Sequence, residues 1–171
     1  PFVVVCNHVS IADVVVLGSL PWEMKWVSKA SNFRIPFLGQ MMRMAGDVRV
    51  VRDDRESRAR AYQRLKEWVE RGVPVIIFPE GTRSKTGELL PFRNGAFRLA
   101  VETQTPVLPL AVHGTREAIK KGSMVFGRAE ARVAIRDPVS VDGLDMDDVE
   151  ELRDRVREIV VRARDELAAA D

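Results

Sequence analysis

Six short runs rich in β-branched and apolar residues punctuate the chain: Phe2–Cys6, Met24–Ser28, Asp47–Val51, Val73–Phe78, Val107–His113 and Ala131–Ile135. Longer helix-patterned stretches separate them. That alternation predicts an α/β domain with a mostly parallel or mixed central sheet flanked by helices. Val73–Phe78 is apolar at nearly every position, as a central strand covered on both faces would be. Two helices are legible. One runs from about Glu56 to Arg71, with Ala61, Tyr62, Leu65, Trp68 and Val69 on one face, Asp53 and Glu56 placed as a capping box, and Gly72 as the stop. The other runs from about Asp147 to Ala169, with an apolar stripe of Val149, Leu152, Val156, Ile159, Ala163 and Leu167. A chain of 171 residues is long enough for one sizeable core. No linker divides it, so residues 1–171 are expected to form a single domain.

The apolar runs fall far short of the ~20 residues that a membrane-spanning helix needs. The single cysteine, Cys6, excludes an intramolecular disulfide and agrees with a reducing compartment. The net charge is +2, but residues 25–98 carry an excess of eight positive charges and the remainder an excess of six negative ones. A basic middle suits an anionic ligand or a membrane surface containing acidic lipids. Arg55, Arg58, Arg60, Arg64 and Lys66 themselves read as the solvated face of a helix.

Two constellations carry chemistry. In Asn7-His8-Val9-Ser10-Ile11-Ala12-Asp13, the His and Asp are five positions apart. Five helical steps of about 100° point two side chains away from each other, and an odd separation on a strand puts them on opposite faces. They meet only if the chain turns between them. An apolar strand ending at Cys6, with Ser10 able to cap a helix that carries Asp13, supplies that turn. The spacing therefore suits a His–carboxylate dyad at a strand-to-helix junction, with the carboxylate fixing the imidazole tautomer. Read alone, the same residues are equally a polar loop histidine and a first-turn helix acid. The second constellation, Phe78-Pro79-Glu80-Gly81-Thr82-Arg83-Ser84, follows the most apolar strand. Ligands in open α/β sheets bind beyond the carboxyl ends of strands, and Arg83 offers a fork for phosphate. Read alone, it is also a polar loop.

The pattern Asn-His-x4-Asp followed by Phe-Pro-Glu-Gly-Thr-Arg resembles the glycerolipid acyltransferase family, whose best-known branch is the 1-acylglycerol-3-phosphate (lysophosphatidic acid) acyltransferases. Lys29 to Gly39 (KASNFRIPFLG), with Gly46 and Arg52 beyond, is similar to the family's second block, and Thr105–Leu110 to its fourth. The four blocks occur in order over residues 7 to about 110. The resemblance implies a glycerol-3-phosphate acyltransferase-like fold, His8 as general base and Asp13 as its orienting partner. It assigns Glu80, Gly81, Thr82 and Arg83 to the acceptor site, with Arg83 on the phosphate and Lys29 and Arg52 adding positive charge. Pro106 and Pro109 would shape the donor or core region. Ser31-Asn32 departs from the Glu-Leu often found there, and His113 matches no family position and reads as a structural or rim histidine.

The implied activity is transfer of a fatty acyl group from acyl-CoA or an acyl carrier protein thioester to the sn-2 hydroxyl of 1-acylglycerol 3-phosphate in phospholipid synthesis. The thioester is already activated, so no cofactor or metal is expected. The expected partners are a lysophospholipid acceptor, an acyl thioester donor and a membrane surface, with no nucleic acid. Membrane association at the cytoplasmic face follows, and a membrane-associated segment is expected ahead of Pro1. Covalent catalysis through Cys6 is disfavoured, since a cysteine ending an apolar strand is usually a buried small hydrophobe. The competing readings are the same chemistry on another acceptor (glycerol 3-phosphate, another lysophospholipid or a lipid amine), a His–Asp thioester hydrolase, and a non-catalytic membrane-binding module.

Overall fold

The computed structural model describes residues 1–84, 86–118 and 127–170. Its elements in chain order are β1 (Val3–Cys6), α1 (Ala12–Gly18), β2 (Lys25–Lys29), a 3-10 turn (Asn32–Arg34), α2 (Leu38–Met44), β3 (Val48–Val50), α3 (Arg55–Glu70), β4 (Val75–Ile77), α4 (Gly95–Glu102), β5 (Val107–His113), α5 (Thr115–Ala118), β6 (Arg132–Ile135) and α6 (Val149–Ala169). The six strands form one sheet in the order β3-β2-β4-β1-β5-β6. The first five are parallel and β6 is antiparallel to β5. The expected mixed α/β sheet is what the chain forms.

Alternation along the strands builds two cores. Val3 and Val5 of β1, Val75 of β4 and Val107 of β5 face one side, where α3, α4 and α6 pack through Leu65, Val69, Phe97, Leu99, Val156 and Val160. Val4 and Cys6, Ile76, Leu108 and Leu110 face the other side and pack with Leu17 of α1 and Met24. Buried on both faces, β1 and β5 have no polar side to expose.

The local capping differs from the expected box. Asp54, not Asp53, caps α3: its carboxylate accepts from the Glu56 and Ser57 N–H groups at 2.9 and 3.1 Å. Asp54 has the extended backbone that a capping residue needs, with φ −108° and ψ 116°. On α6 the expected stripe is buried at Val149, Leu152, Val156 and Ala163, and Val160 joins it; Ile159 and Leu167 are only partly buried at its border.

Chain order makes one place in this sheet special. After β1 the chain leaves toward β2, on one side; after β4, the strand hydrogen-bonded to β1, it crosses back past β1 to β5 on the other. The connection from β1 passes to α1 on one face of the sheet and that from β4 to α4 on the other, so the loops of these two adjacent parallel strands separate and open a crevice at their carboxyl ends. Both constellations from the sequence lie there, one after β1 and one after β4.

The core on the α4 side should carry much of the stability. Phe97→Ala, at a fully buried position, is expected to lower the unfolding free energy by about 3–5 kcal/mol. Met146→Ala, at an exposed side chain, should stay within about 0.5 kcal/mol. Equilibrium denaturation of the two variants checks both.

Candidate active site

β1 stops because Asn7 turns its polar side chain inward. The buried Asn7 amide donates to the Val112 carbonyl at 3.0 Å, and its oxygen accepts from the Val112 N–H at 2.8 Å. This pair of hydrogen bonds to β5 substitutes for the next ladder pair, and the main chain is free to turn. His8 then lies at the crevice with 12% of its side chain exposed. Its ring stacks on Phe78, which follows β4, with centroids 4.0 Å apart and planes 12° from parallel.

The turn closes on the fully buried carboxylate of Asp13. Its Oδ2 lies 2.7 Å from His8 Nδ1 and accepts from the Val9 and Ser10 N–H groups at 2.8 and 2.9 Å. Its Oδ1 accepts from the Thr115 hydroxyl at 2.5 Å. Thr115 opens α5, beyond β5, so a group 102 residues distant in sequence completes the shell. Ser10 is not the cap expected of it: Ile11 holds the cap position of α1 with no side-chain bond, and the Ser10 hydroxyl, one residue earlier, accepts from the Ala12 N–H at 3.3 Å. With Nδ1–H directed at a carboxylate, Nε2 carries the imidazole lone pair and is the nitrogen able to take a proton.

A second buried carboxylate holds the other loop. Glu80 Oε1 accepts from the His8 N–H at 2.7 Å and Oε2 from the Leu90 N–H at 2.9 Å. The Ser84 N–H returns to the His8 carbonyl at 2.9 Å, so the two loops are stapled together on either side of His8. Burial holds the Glu80 carboxyl above its ordinary range, against the lowering effect of these two N–H groups. Its oxygens are committed to the main chain, so Glu80 positions the loop. Gly81 has φ +70°, and a Cβ there would stand 2.9 Å from Arg93 Nε. The left-handed backbone is what asks for glycine here, and the missing side chain leaves room for Arg93.

That approach gathers cations. Arg52, just past β3, is held below the usual guanidinium range first by partial burial and then by the nearby charges of Arg93 and Arg83. The charges of three arginines near the carboxyl ends of β3 and β4 thus act on one another, a repulsion that a multiply charged anion would relieve. Thr82 and Arg83 are exposed on the loop. Lys29 ends β2, paired with Val50 two residues before Arg52, and is exposed at the same edge. Of the expected residues, His8 and Asp13 touch, Glu80 binds the His8 main chain, and Arg83 joins Arg52. Arg93 and Thr115 lie outside the expected set, and Asn7 stands in the Asn-His-x4-Asp pattern without an assigned role. Of the first two, Arg93 carries an accessible signal, as one more arginine in the basic middle.

Cys6 stays out of this chemistry. Its thiol is fully buried and pushed well above its usual range, by burial first and then by the negative charges of Asp13 and Glu80. It donates a weak bond to Asn7 Oδ1 at 3.6 Å. Pro106 and Pro109 serve the scaffold: their carbonyls accept from the Val3 and Arg136 N–H groups at 3.1 and 3.0 Å. His113 closes β5 at the rim. Among the described residues, no group of three or more His, Cys, Asp or Glu side chains is gathered as for a metal ion.

A sequence profile described as Acyltransferase matches residues 1–113. The chain is 41% identical over 140 residues to a chloroplastic 1-acyl-sn-glycerol-3-phosphate acyltransferase of Brassica napus, covering 81% of this chain and 41% of that protein. It is 33% identical to the 1-acyl-sn-glycerol-3-phosphate acyltransferase of Saccharomyces cerevisiae, covering 98% of this chain and 56% of that one. Among solved structures, the 1-acyl-sn-glycerophosphate acyltransferase PlsC of Thermotoga maritima superposes with a TM-score of 0.85 at 34% identity, covering 98% of this chain and 66% of that one. The chain thus spans about half the length of the curated relatives it matches.

The carboxylate shells predict separable defects. Thr115→Val keeps the shape but strands Asp13 Oδ1, and should cost about 1–3 kcal/mol of stability, with Thr115→Ser near wild type. Glu80→Gln presents an amide N–H to one of two main-chain donors and should cost a similar about 1–3 kcal/mol. Denaturation at neutral pH checks each.

Proposed function

The chain belongs to the Acyltransferase family, and from that membership we propose that it transfers a fatty acyl group from an acyl-CoA or acyl carrier protein thioester to the sn-2 hydroxyl of 1-acylglycerol 3-phosphate. The observation that carries this reading is the 2.7 Å contact of His8 Nδ1 with the buried Asp13 carboxylate at the crevice between β1 and β4. It leaves Nε2 as a base at the crevice whose second loop carries Arg83.

In the proposed reaction, the acceptor's phosphate sits against Arg83, with Arg52, Arg93 and Lys29 adding positive charge. That places its free hydroxyl toward His8. Nε2 takes the hydroxyl proton as the oxygen attacks the thioester carbonyl. Asp13 stabilises the imidazolium that results. When the tetrahedral intermediate collapses, the C–S bond breaks and the proton on Nε2 passes to the departing thiolate. The new ester and the free thiol are the products, and His8 is neutral again. Glu80 and Gly81 keep the second loop in register with His8, and Thr82 presents its hydroxyl toward the acceptor.

Acceptor and product are both lipids, so the domain is proposed to work on a membrane surface, at its cytoplasmic face. No helix of the described residues is long and apolar enough to cross a membrane. Residues 1–171 act as one catalytic unit, with the basic edge of the sheet toward acidic lipid.

Substitutions at two positions test the assignment. His8→Ala should fold normally and lose at least ~10²–10⁴-fold in turnover. Arg83→Ala should raise KM for the lysolipid by on the order of 10- to 100-fold, the worth of a charge-assisted bond, while KM for the thioester changes little. Arg83→Lys should recover only part, because a point charge makes no bidentate contact. A defect confined to the donor KM would move Arg83 to the thiol carrier's phosphates. Release of free fatty acid without esterified lipid by the wild type would contradict acyl transfer itself.

A further inference from the structure

The segment that follows β2 is built unlike the rest of the surface. Ile35, Phe37, Leu38, Met41 and Met44 are all exposed, with Phe37, Met41 and Met44 at 86%, 67% and 81%. Positions 37, 41 and 44 repeat at the i, i+4, i+7 spacing, so the three form one apolar stripe along α2. Scattered surface apolar residues need no account, but five within ten residues make a patch.

The patch is braced rather than loose. Phe37 has φ 60° and ψ −55° and sits at the centre of a γ-turn closed by the Leu38 N–H on the Pro36 carbonyl at 2.7 Å. This is a strained form for a residue with a side chain. The turn throws the aromatic ring outward. Beneath it, Phe33 is buried, and its carbonyl accepts from Arg43 Nη2 at 2.6 Å. Gly39 lies so close that a Cβ would stand 2.2 Å from that carbonyl, which fixes α2 on the 3-10 turn. Met42 faces inward as the stripe faces out.

Charge selects the occupant. From Met24 to Gly46 there is no Asp or Glu, while Lys29 and Arg34 are exposed, and Arg49 and Arg52 follow on the neighbouring strand end. Apolar side chains on a segment that carries cations and no acid of its own suit the interface of a bilayer containing anionic lipid; neighbouring Glu23 is paired with Lys25. A protein partner would face the same cations with nothing on this chain's side to select it. The segment also begins at the carboxyl end of β2, the edge of the sheet that carries His8.

We propose that residues 35–44 form a lipid-inserting platform, in which Phe37, Met41 and Met44 enter the acyl region of an anionic membrane while Lys29 and Arg34 meet its headgroups. The inference rests on the acyltransferase reading, because a lipid acceptor must pass from the bilayer to this edge.

A single label tests it, since the native Cys6 is buried and does not compete. Met44→Cys carrying an environment-sensitive fluorophore is mixed with vesicles of phosphatidylcholine, with or without phosphatidylglycerol. The fluorophore should shift to the blue and be quenched by brominated acyl chains on the anionic vesicles. The same label at Glu158→Cys on the exposed side of α6 should not be quenched. Replacing Phe37, Met41 and Met44 by Ser should lower anionic-vesicle partition of the 171-residue chain by about 10- to 100-fold. That triple variant should retain wild-type turnover on a short-chain acceptor dispersed as monomers. A label at position 44 that stays in water while the protein sediments with vesicles would overturn the proposal. So would a concentration-dependent dimer that the triple variant abolishes, which would assign the patch to a second copy. Absence of acyl transfer by the wild type, with quenching intact, would sink the reading above and still uphold the platform.

Discussion

One buried carboxylate holds the site together. Asp13 has no exposed surface, and an isolated ionised group in that position would be strongly disfavoured. It is tolerated because four donors converge on it: the His8 ring, two main-chain N–H groups of its own loop, and the Thr115 hydroxyl. The same bonds that offset the desolvation also shape the turn. The loop after β1 directs its Val9 and Ser10 N–H groups inward at Asp13, and His8 is left with one ring nitrogen engaged and the other available. Structure and chemistry are here a single arrangement, since the imidazole is aimed by the group that folds the loop.

The second carboxylate, Glu80, repeats this logic on the other side of the crevice. It ties the His8 N–H to the loop after β4, and the Ser84 N–H answers on the His8 carbonyl. The topology makes such a staple necessary. Connections from β1 and β4 leave to opposite faces of the sheet, so without cross-links the crevice would have two independent walls. Phe78 fills the gap between them by stacking on the His8 ring. With both walls fixed, Gly81 lets Arg93 approach, and the charges of Arg93 and Arg83 add to partial burial in lowering the proton affinity of Arg52.

Much of this was legible in the chain because its physics is local. The β-branched runs gave the strands, since their burial on two faces leaves a continuous apolar signal. The His8–Asp13 distance along the chain demanded a turn, and the turn exists. What escaped was non-local or featureless. Nothing near Thr115 marks it as a donor to Asp13, because the contact depends on β5 lying beside β1. Glu80 stood in a motif that suggested contact with a ligand, yet its oxygens face main-chain N–H groups, a distinction that only the loop's path reveals. α4 escaped because it is only eight residues long: Ala96, Phe97, Leu99, Ala100 and Val101 are buried against exposed Gly95, Arg98 and Glu102, but two turns give too short a pattern to stand out. The cap of α3 fell one residue from its expected place, since Asp53 and Asp54 are chemically identical and only backbone angle chooses between them.

The central claim is that Asp13 holds His8 as the Nδ1–H tautomer, with Nε2 free to accept a proton. Nitrogen-15 NMR of the His8 imidazole in the resting protein measures this directly. The account predicts a protonated Nδ1 with a strongly deshielded proton, an unprotonated Nε2, and loss of that pattern in Asp13→Asn. An Nε2–H tautomer in the wild type, or a His8 spectrum unchanged by Asp13→Asn, would contradict it.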